Sequence, residues 1–372
     1  MKRKILIFYS ILILIGLFSA GCKKSEKLLA GGFTEGNEKG LMLYELNTQN
    51  GNLSLISETD AGANPSFFCY SKNRDFIYAI NEVPDFSGLA AGGLTTLKYD
   101  PASGKIGKQS ELPVPFGGPC HISLSDDGGF LLIASYSSSS VAVVKLGTDG
   151  IPAEVSDTIV YSAVAPVVSH PHMIAQDPFA RHVYLTDLGL DRVMIYDLDR
   201  QKGKLVPVPN GEIKVPQGSG PRHFVFSPAG TRMYLINEQG STVMVFDVDK
   251  GGILKLLQTL PATSEGYNGK NACAEILIGE GGGFLYGSNR GENSIVVFRI
   301  GLDGLLTVAG HSTCGGDWPR NFVIDPSGKF LLSGNQKSGD ISVFRINLKT
   351  GIPEGPVFKA TMKAPAYLEF FK

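Results

Sequence analysis

Charged residues are scarce in this chain of 372 residues. Asp, Glu, Lys and Arg make up 19% of it, and the formal net charge is −1 at pH 7. A protein that binds nucleic acid presents a basic face to the phosphates, and this composition has no excess of basic residues from which to build one. We therefore expect no nucleic-acid partner. Hydrophobic residues make up 43% of the chain, which is enough for a folded globular body.

Helical periodicity and the common cofactor motifs are also lacking. Between the predicted strands, no stretch of about 10 to 15 residues has apolar side chains at i, i+3, i+4 and i+7. No Walker A loop, Rossmann fingerprint or GxSxG elbow stands in a strand-turn-helix context. These absences argue against a parallel β/α fold, and we expect no cofactor.

Cysteine is sparse, and its spacing indicates neither a zinc site nor a disulfide framework. The chain has five cysteines and no CxxC pair. We interpret Cys69, Cys120, Cys273 and Cys314 as small buried residues. A disulfide remains an alternative if the protein is exported. The fifth cysteine, Cys22, stands in a different context.

Only the N-terminus carries a long apolar run. "MKRK" supplies a cationic start, "ILIFYSILILIGLF" an apolar segment and "SAGC" a small-residue cleavage site, as in a secretory signal. The cysteine after Ala-Gly resembles a bacterial lipoprotein lipobox. The pattern predicts a signal peptide over residues 1–22 with Cys22 as the lipidated residue, and a tether over residues 23–28. The exported protein would face the periplasm and contact the membrane only through lipid. An uncleaved N-terminal anchor is the alternative.

Turn residues and repeated strand pairs dominate the rest of the chain, which has 46 Gly and 21 Pro. Six segments share one plan: an apolar strand opened by a small residue or Pro, a polar turn, a second apolar strand, and then a third and a fourth strand. They begin at positions 65, 119, 171, 221, 273 and 319, so they are separated by 54, 52, 50, 52 and 46 residues. That spacing is typical of four-stranded propeller blades.

The two ends of the chain supply a seventh copy. "APAYLEFFK" matches only the first strand of the repeat, and "LLAGGFTEGNEKGLMLYELNTQNGNL" matches the second, third and fourth. The sequence therefore predicts an all-β fold with one domain over residues 29–372. This domain is a seven-bladed β-propeller with blades of four antiparallel strands. Pairing of the N- and C-terminal segments closes the ring, which leaves no open sheet edge inside it.

Chargeable residues recur where the first strand of a blade starts and where the second strand ends. Antiparallel pairing brings these two positions to the same rim, so seven blades direct them at one mouth of the central channel. Four of the six histidines (His121, His170, His172 and His223) stand at strand starts. The other candidates for this mouth are Arg222, Arg290, Arg320, Glu35, Glu82, Glu238, Glu275, Asn321 and Gln336.

A structural role is the alternative for several of these positions. The recurring Asn or Asp at the end of the second strand is interpreted as structural, because such side chains satisfy backbone groups where strands turn. Arg–Glu pairs could likewise join neighbouring blades. For Arg222 and Glu238 we favour a site, since the channel gives a ligand access to them. The recurring residues are Asn81, Asp187, Asn237, Asn289 and Asn335.

The chemistry of such a mouth suits an anionic or carbonyl-bearing small molecule. Arginine binds carboxylate or phosphate with a planar fork of donors, and it can stabilise the oxyanion that forms when an ester opens. Glutamate or neutral histidine can activate a water molecule. No compact His/Asp/Glu triad demands a metal. A protein that binds a ligand without chemistry remains an alternative.

The chain after the tether resembles the seven-bladed propeller lactonase family, which includes bacterial 6-phosphogluconolactonases and fungal carboxy-cis,cis-muconate cyclases. Four segments carry the resemblance: "HPH...DP..RHVYLTDLGLDRVMIY", "GPRHFVFSPAG..MYLINE", "AEILI......LYGSNRGENSIVVF" and "PRNFVIDPSGKFLLSGNQ.S..ISVF". The resemblance implies a lactone hydrolase that opens a sugar lactone to its acid. Because the phosphorylated lactone is made in the cytosol, an exported member would act on another sugar lactone. The alternatives are a muconate-type lactonizing enzyme and a non-catalytic propeller that binds a ligand or a protein.

By analogy with the cyclase branch, the resemblance implies four catalytic residues. Glu238 or His172 would be the acid or base, and Arg222 and Arg290 would hold the substrate and polarise its carbonyl. The other mouth residues would bind substrate, and we expect a monomer whose partner is a small lactone or sugar acid. The predicted substrate-binding residues are His223, Glu275, Arg320, Asn321, Gln336 and Glu82.

Overall fold

The computed structural model describes residues 25–36, 38–100, 103–161 and 167–371. Within these ranges the chain forms 28 strands arranged as seven four-stranded antiparallel sheets. The predicted signal peptide and Cys22 lie outside the described residues. Strand β1 begins at Ser25, so residues 25–28, which we expected in a tether, belong to the first strand instead. None of the described residues forms a helix that is long and apolar enough to cross a membrane.

Blade 1 closes the ring as predicted, because the last strand of the chain pairs with the first. Its order is β28-β1-β2-β3, and the predicted seven-bladed propeller is thereby confirmed. Blades 2 to 7 each use four consecutive strands. The strands of blade 1 are β1 (Ser25–Gly32), β2 (Leu41–Asn47), β3 (Leu53–Thr59) and β28 (Pro365–Phe370). Those of blade 2 are β4 (Phe67–Tyr70), β5 (Phe76–Asn81), β6 (Ala91–Asp100) and β7 (Lys105–Pro115).

The remaining blades follow the chain in order. Blade 3 contains β8 (Pro119–Leu124), β9 (Phe130–Ser135), β10 (Ser140–Leu146) and β11 (Pro152–Val160). Blade 4 contains β12 (Pro171–Gln176), β13 (Val183–Asp187), β14 (Arg192–Asp199) and β15 (Lys204–Lys214). Blade 5 contains β16 (Pro221–Phe226), β17 (Arg232–Asn237), β18 (Thr242–Val248) and β19 (Leu254–Pro261). Blade 6 contains β20 (Ala272–Ile278), β21 (Phe284–Arg290), β22 (Ser294–Ile300) and β23 (Leu306–Thr313). Blade 7 contains β24 (Pro319–Ile324), β25 (Phe330–Asn335), β26 (Asp340–Ile346) and β27 (Pro353–Thr361).

The core lies between the blades. Both faces of a second or third strand pack against a neighbouring blade, so these strands are apolar on every side. All six residues of β9 (FLLIAS) are buried, whereas β7 on the outside of its blade is mostly exposed. One cluster joins Phe330 and Leu332 of blade 7 to Leu28 and Phe370 of blade 1, so the closing blade shares the same kind of core as the others.

Tyrosines in the second strands also join the blades. In four blades the phenol donates a hydrogen bond to a glycine carbonyl in the turn between the third and fourth strands of the next blade. This leaves a large aromatic ring buried with its hydroxyl satisfied. The pairs are Tyr78 with Gly150 (2.7 Å), Tyr184 with Gly252 (2.7 Å), Tyr234 with Gly304 (2.9 Å) and Tyr286 with Gly351 (2.9 Å).

The four cysteines in the described residues are free. Cys120, Cys273 and Cys314 are buried, as expected, but Cys69 is only half-buried. Cys69 differs from the other three because it lines the cavity of the central channel. No disulfide therefore joins any of the four.

A transverse layer of side chains crosses the central channel, and we call it the channel layer. Each blade contributes the residue that lies two positions after the start of its repeat, at residue 65, 119, 171, 221, 273, 319 or 365. The Phe67 ring stacks on Tyr367 at 3.7 Å and lies 6.1 Å from the His223 ring, so contacts reach from one side of the channel to the other. The members of the channel layer are Phe67, His121, Met173, His223, Glu275, Asn321 and Tyr367.

Candidate active site

β-bulges position the polar residues at the mouth, which is the rim formed by the first-strand starts and second-strand ends. In blades 4, 5 and 7 the register of the first strand shifts by one residue directly after its opening proline. The extra residue is His172, Arg222 or Arg320. A bulge re-aims the side chain of its extra residue. Blades 4, 5 and 7 therefore each direct one polar side chain at the mouth.

Glu238 and two arginines form the centre of the mouth. Oε2 of Glu238 accepts hydrogen bonds from Nε of Arg222 at 2.9 Å and from Nη2 of Arg290 at 2.7 Å. Arg222 also donates to the Ala274 carbonyl, and Arg290 donates to the carbonyl groups of Ala272 and Cys273. These bonds connect blades 5 and 6 and fix both guanidinium groups in place.

The charges of this cluster determine the protonation of its members. Burial alone would raise the pKa of Glu238, but the Arg290 and Arg222 guanidiniums hold that pKa below its ordinary value. Burial and the nearby Arg222 charge lower the pKa of Arg290 to about 10, which still leaves it cationic at neutral pH. The carboxylate of Glu238 is therefore ionised and engaged by two cations, so it is a weak proton acceptor.

His172 lies beside this cluster as a neutral imidazole. Burial, and then the positive charge of Arg222, hold its pKa well below the ordinary value. Its Nδ1 is buried and has no hydrogen-bond partner among the described residues. The His172 ring lies 5.0 Å from that of His223 and 5.9 Å from that of Tyr136. A neutral histidine with a free nitrogen can accept a proton from a bound water molecule.

His223, Glu275 and Asn321 form the polar part of the channel layer beneath His172. Nδ1 of His223 lies 3.1 Å from Oε1 of Glu275, and the Asn321 amide donates to Oε2 of Glu275 at 2.6 Å. All three residues are buried. We expected them at the mouth as substrate-binding residues, and the structure places them in the floor of that mouth.

A second ion pair lies on the side of blades 2 and 7. Arg320 is 3.7 Å from Glu82, which also accepts a hydrogen bond from the Ser66 hydroxyl at 2.6 Å. The Arg320 guanidinium lies 5.0 Å from the centre of the Phe33 ring. This pair is looser than the one between Glu238 and the two arginines, so Arg320 is freer to meet a ligand.

Gln336 lies at the rim as expected, but Glu35 does not. The backbone N–H of Gln336 donates to the Trp318 carbonyl at 3.0 Å, and its own side-chain Oε1 is buried without a partner among the described residues. Glu35 does not join the mouth, because its side chain is 83% exposed and pairs with Lys363 at 2.9 Å. Glu35 follows a short connection rather than the buried end of a second strand, and it points to solvent.

The structural role expected for the second-strand Asn and Asp residues is visible in their contacts. Asn81 donates to the carbonyl groups of Ala61 and Ala63, and Asn289 donates to that of Ala262. Asp187 accepts from the backbone N–H groups of residues 170 and 190. These side chains satisfy backbone groups at the blade openings, and they are buried.

The channel layer separates the mouth from a cavity of about 530 Å³ on its other side. Ser123, Ala175, Val225 and Leu277 are among the residues that line this cavity, and Arg222, Arg290 and His172 are not. The charged groups of the arginine–glutamate cluster and the imidazole nitrogen without a described partner belong to the mouth and not to this cavity. Lactone chemistry needs those groups, so the mouth is the candidate active site.

Sequence reasoning missed two neighbours of the arginines. Trp318 precedes the first strand of blade 7, and its ring lies 5.4 Å from the Arg290 guanidinium carbon. Lys337 follows the second strand of that blade and lies 3.3 Å above the same ring. Because the two residues stand beside a first-strand start and a second-strand end, the repeat pattern could have identified them as neighbours of the mouth. Among the described residues, no group of three His, Cys, Asp or Glu side chains could hold a metal ion.

The fold is a propeller closed into a ring. Its mouth carries two arginines that both pair with the carboxylate of one glutamate. A family model described as a seven-bladed β-propeller lactonase matches residues 27–370. The chain belongs to this family of propeller lactonases.

Named relatives agree with the family match. The chain is 32% identical over 335 residues to a 6-phosphogluconolactonase of Formosa agariphila, which covers 87% of this chain and 93% of that protein. Among solved structures, a periplasmic gluconolactonase of Pseudomonas aeruginosa aligns with a TM-score of 0.87 at 30% identity, covering 93% of this chain and 99% of that one. A putative 6-phosphogluconolactonase of Bacteroides fragilis aligns with a TM-score of 0.86 at 28% identity, covering 94% and 98%.

Proposed function

We propose that the protein is a lactone hydrolase that opens a sugar lactone to its acid at the channel mouth. One observation carries the assignment: two buried arginines share the carboxylate of Glu238 beside the neutral, unpartnered imidazole of His172. The names of the relatives support the same class of reaction, since they are 6-phosphogluconolactonases and a gluconolactonase.

In the proposed mechanism His172 is the general base. Its free nitrogen takes a proton from a water molecule as the water oxygen attacks the lactone carbonyl carbon. The carbonyl oxygen becomes an oxyanion, which Arg222 and Arg290 stabilise with donors already fixed in place. When the oxyanion collapses, the ring C–O bond breaks, and the proton returns from His172 to the leaving alkoxide. The products are a carboxylate and a hydroxyl on one open chain, and the carboxylic proton is released to solvent.

Glu238 is a positioning residue in this mechanism. Two guanidinium donors engage its Oε2 and lower its pKa, whereas Nδ1 of His172 has no hydrogen-bond partner among the described residues and is free to accept a proton. It holds Arg222 and Arg290 in a geometry that an oxyanion can use. Of the two acid/base candidates from the sequence, we therefore assign the proton transfer to His172.

The test is lactone turnover followed by acid release, with spontaneous hydrolysis subtracted. We expect His172→Gln to lower kcat by about 10² to 10⁴, the usual contribution of a general base. Glu238→Gln should lower kcat/KM by about 10², because it displaces the arginines. His182→Gln is the control, since His182 bonds Asp197 and the Gly251 carbonyl outside the channel. Equal rates for all variants on 6-phosphogluconolactone and gluconolactone would refute the assignment.

We also propose that the protein is an exported lipoprotein, with Cys22 lipidated and the propeller facing the periplasm. The N-terminal pattern supports this, and the solved relative from Pseudomonas aeruginosa is a periplasmic gluconolactonase. In that compartment the substrate would be an unphosphorylated sugar lactone or aldonolactone rather than a cytosolic phosphorylated one.

A further inference from the structure

Trp318 has a backbone conformation that its side chain disfavours. Its φ is +69°, in the left-handed region, which a bulky L-residue adopts only with backbone strain. Trp318 stands directly before the proline that opens a first strand. At the same position blades 3 and 5 use Gly118 and Gly220, with φ values of +71° and +63°. This position therefore adopts a backbone conformation that glycine reaches without strain, but in blade 7 the residue is the single tryptophan of the chain.

The surrounding contacts hold this conformation without burying the ring. The Trp318 N–H donates to Oδ1 of Asn293 at 2.9 Å, and its carbonyl accepts from the Gln336 N–H at 3.0 Å. The residue as a whole is only half-buried. Strained backbone of this kind clusters at functional sites, so the position of Trp318 indicates which function to examine.

The ring lies at the edge of the candidate active site. It is 5.4 Å from the guanidinium carbon of Arg290, which also holds Glu238. The exposed Lys337 ammonium lies 3.3 Å from the ring centre. Among the described residues Lys337 has no carboxylate within ion-pair distance, so only a weak cation–π contact keeps its ammonium over the ring. A ligand can displace that ammonium from the ring face, and an anionic group of the ligand can then pair with the ammonium.

We propose that Trp318 contacts the sugar ring of the substrate and that Lys337 binds an anionic substituent, such as a phosphate, on lactones whose ring carries one. The indole offers an apolar face to the ring C–H groups and an N–H donor to a hydroxyl, while Arg290 reaches the lactone carbonyl on the same side. Trp318 thereby selects hydroxylated ring lactones over plain aliphatic ones. The inference rests on the proposed function, because it concerns the substrate of that same mouth.

The single tryptophan allows binding to be measured without turnover. In the His172→Gln variant, D-glucono-δ-lactone should change the tryptophan fluorescence in a saturable way, and ε-caprolactone should not. In the otherwise wild-type enzyme, Trp318→Ala should raise KM for gluconolactone about tenfold, leave kcat within about twofold and leave KM for ε-caprolactone unchanged. Trp318→Phe should recover most of the lost affinity. Lys337→Met should raise KM for 6-phosphogluconolactone but not for gluconolactone.

Ala364→Gly is the matched control. Ala364 holds the equivalent position in blade 1 with a φ of +41°, so its replacement relieves the same kind of strain away from Trp318. It should leave both KM values unchanged. If Trp318 served only to hold Arg290, Trp318→Ala would lower kcat for every lactone equally, and the inference would be wrong. Normal gluconolactone turnover with unchanged KM in Trp318→Ala would overturn this inference alone. The absence of any lactone turnover in the wild type, without fluorescence change, would overturn the proposed function with it.

Discussion

Three histidines, one each from blades 3, 4 and 5, lie buried in and above the channel layer. Burial lowers the pKa of His121, His172 and His223 below the ordinary value, and the Arg222 charge lowers each of them further. Glu275 acts in the opposite direction on His223, but the net shift remains downward. At neutral pH these rings are uncharged in the folded protein, as the proposed base requires.

These lowered pKa values predict that the folded protein loses stability in acid. The unfolded chain takes up protons near the ordinary histidine pKa of about 6.5, and the folded chain does so only at lower pH. The free energy of unfolding should therefore be constant above about pH 6.5. Below that pH it should fall by up to about 1.4 kcal/mol per pH unit for each of the three histidines. Urea unfolding between pH 8 and pH 5 measures this slope.

A matched pair of variants isolates the contribution of His172. His172→Gln should give a shallower slope than the wild type, and His182→Gln should leave the slope unchanged. A wild-type free energy of unfolding that stays flat down to pH 5 would contradict the neutral, buried state of these rings.

At the scale of the strand, β28 does more than complete a blade. Leu28 of β1 pairs with Phe370, and the Phe371 N–H donates to the Lys27 carbonyl at 2.9 Å. β28 also brings Tyr367 to the channel layer, where its ring stacks on Phe67. Without β28 the edge of β1 would be open and the layer incomplete.

Truncation removes strand β28, whereas circular permutation keeps this strand and moves the chain termini. The two variants therefore separate the effect of the strand from the effect of where the chain begins and ends. Deletion of residues 365–371 should abolish cooperative unfolding and turnover, because it opens the ring. A circular permutant with a short Gly/Ser linker from Phe371 to Ser25 and new termini between Gly281 and Gly282 keeps every strand. A side chain at either glycine would meet only open space, so this turn tolerates a break. The permutant should keep lactonase turnover within about twofold. Cooperative melting of the truncated protein by circular dichroism would show that closure is dispensable.

At the scale of the whole molecule, the described residues form one ring that starts directly after the proposed anchor. Strand β1 begins at Ser25, three positions after Cys22, so little chain is left to separate the propeller from a lipidated cysteine. A lipoprotein of this geometry would hold its propeller close to the membrane surface. The formal net charge of −1 includes Lys2, Arg3 and Lys4 of the predicted signal peptide, so the cleaved protein would be more acidic and would gain no attraction to anionic lipids. The lipid chains themselves would supply the membrane affinity.

The anchor proposal predicts a change of cell fraction. Cys22→Ala should move the protein out of the membrane fraction, because the lipid supplies the membrane contact. Cys69→Ala is the control and should leave the protein with the membrane. Fractionation of cells followed by immunoblotting measures both. A wild-type protein found in the cytosolic fraction would contradict export altogether.

The repeat pattern of the sequence alone determined the architecture. Alternating apolar residues and polar turns are local signals, since strand neighbours lie two residues apart, and their spacing of about 50 residues predicted blades and their number. The same pattern placed Arg222 and Glu238 at the ends of one hairpin, and they meet at 2.9 Å.

Only the tertiary structure decided which side chains meet across blades. Arg290 joins Glu238 from the next blade, His223 and Glu275 pair in the floor of the mouth, and Glu35 points to solvent. Trp318 reaches Arg290 from blade 7. Such contacts depend on bulges, on the rotation between blades and on side-chain conformations, and none of these leaves a signal at a fixed spacing in the chain. The ring geometry therefore determines the contacts of the site, and the local pattern determines the positions from which its residues come.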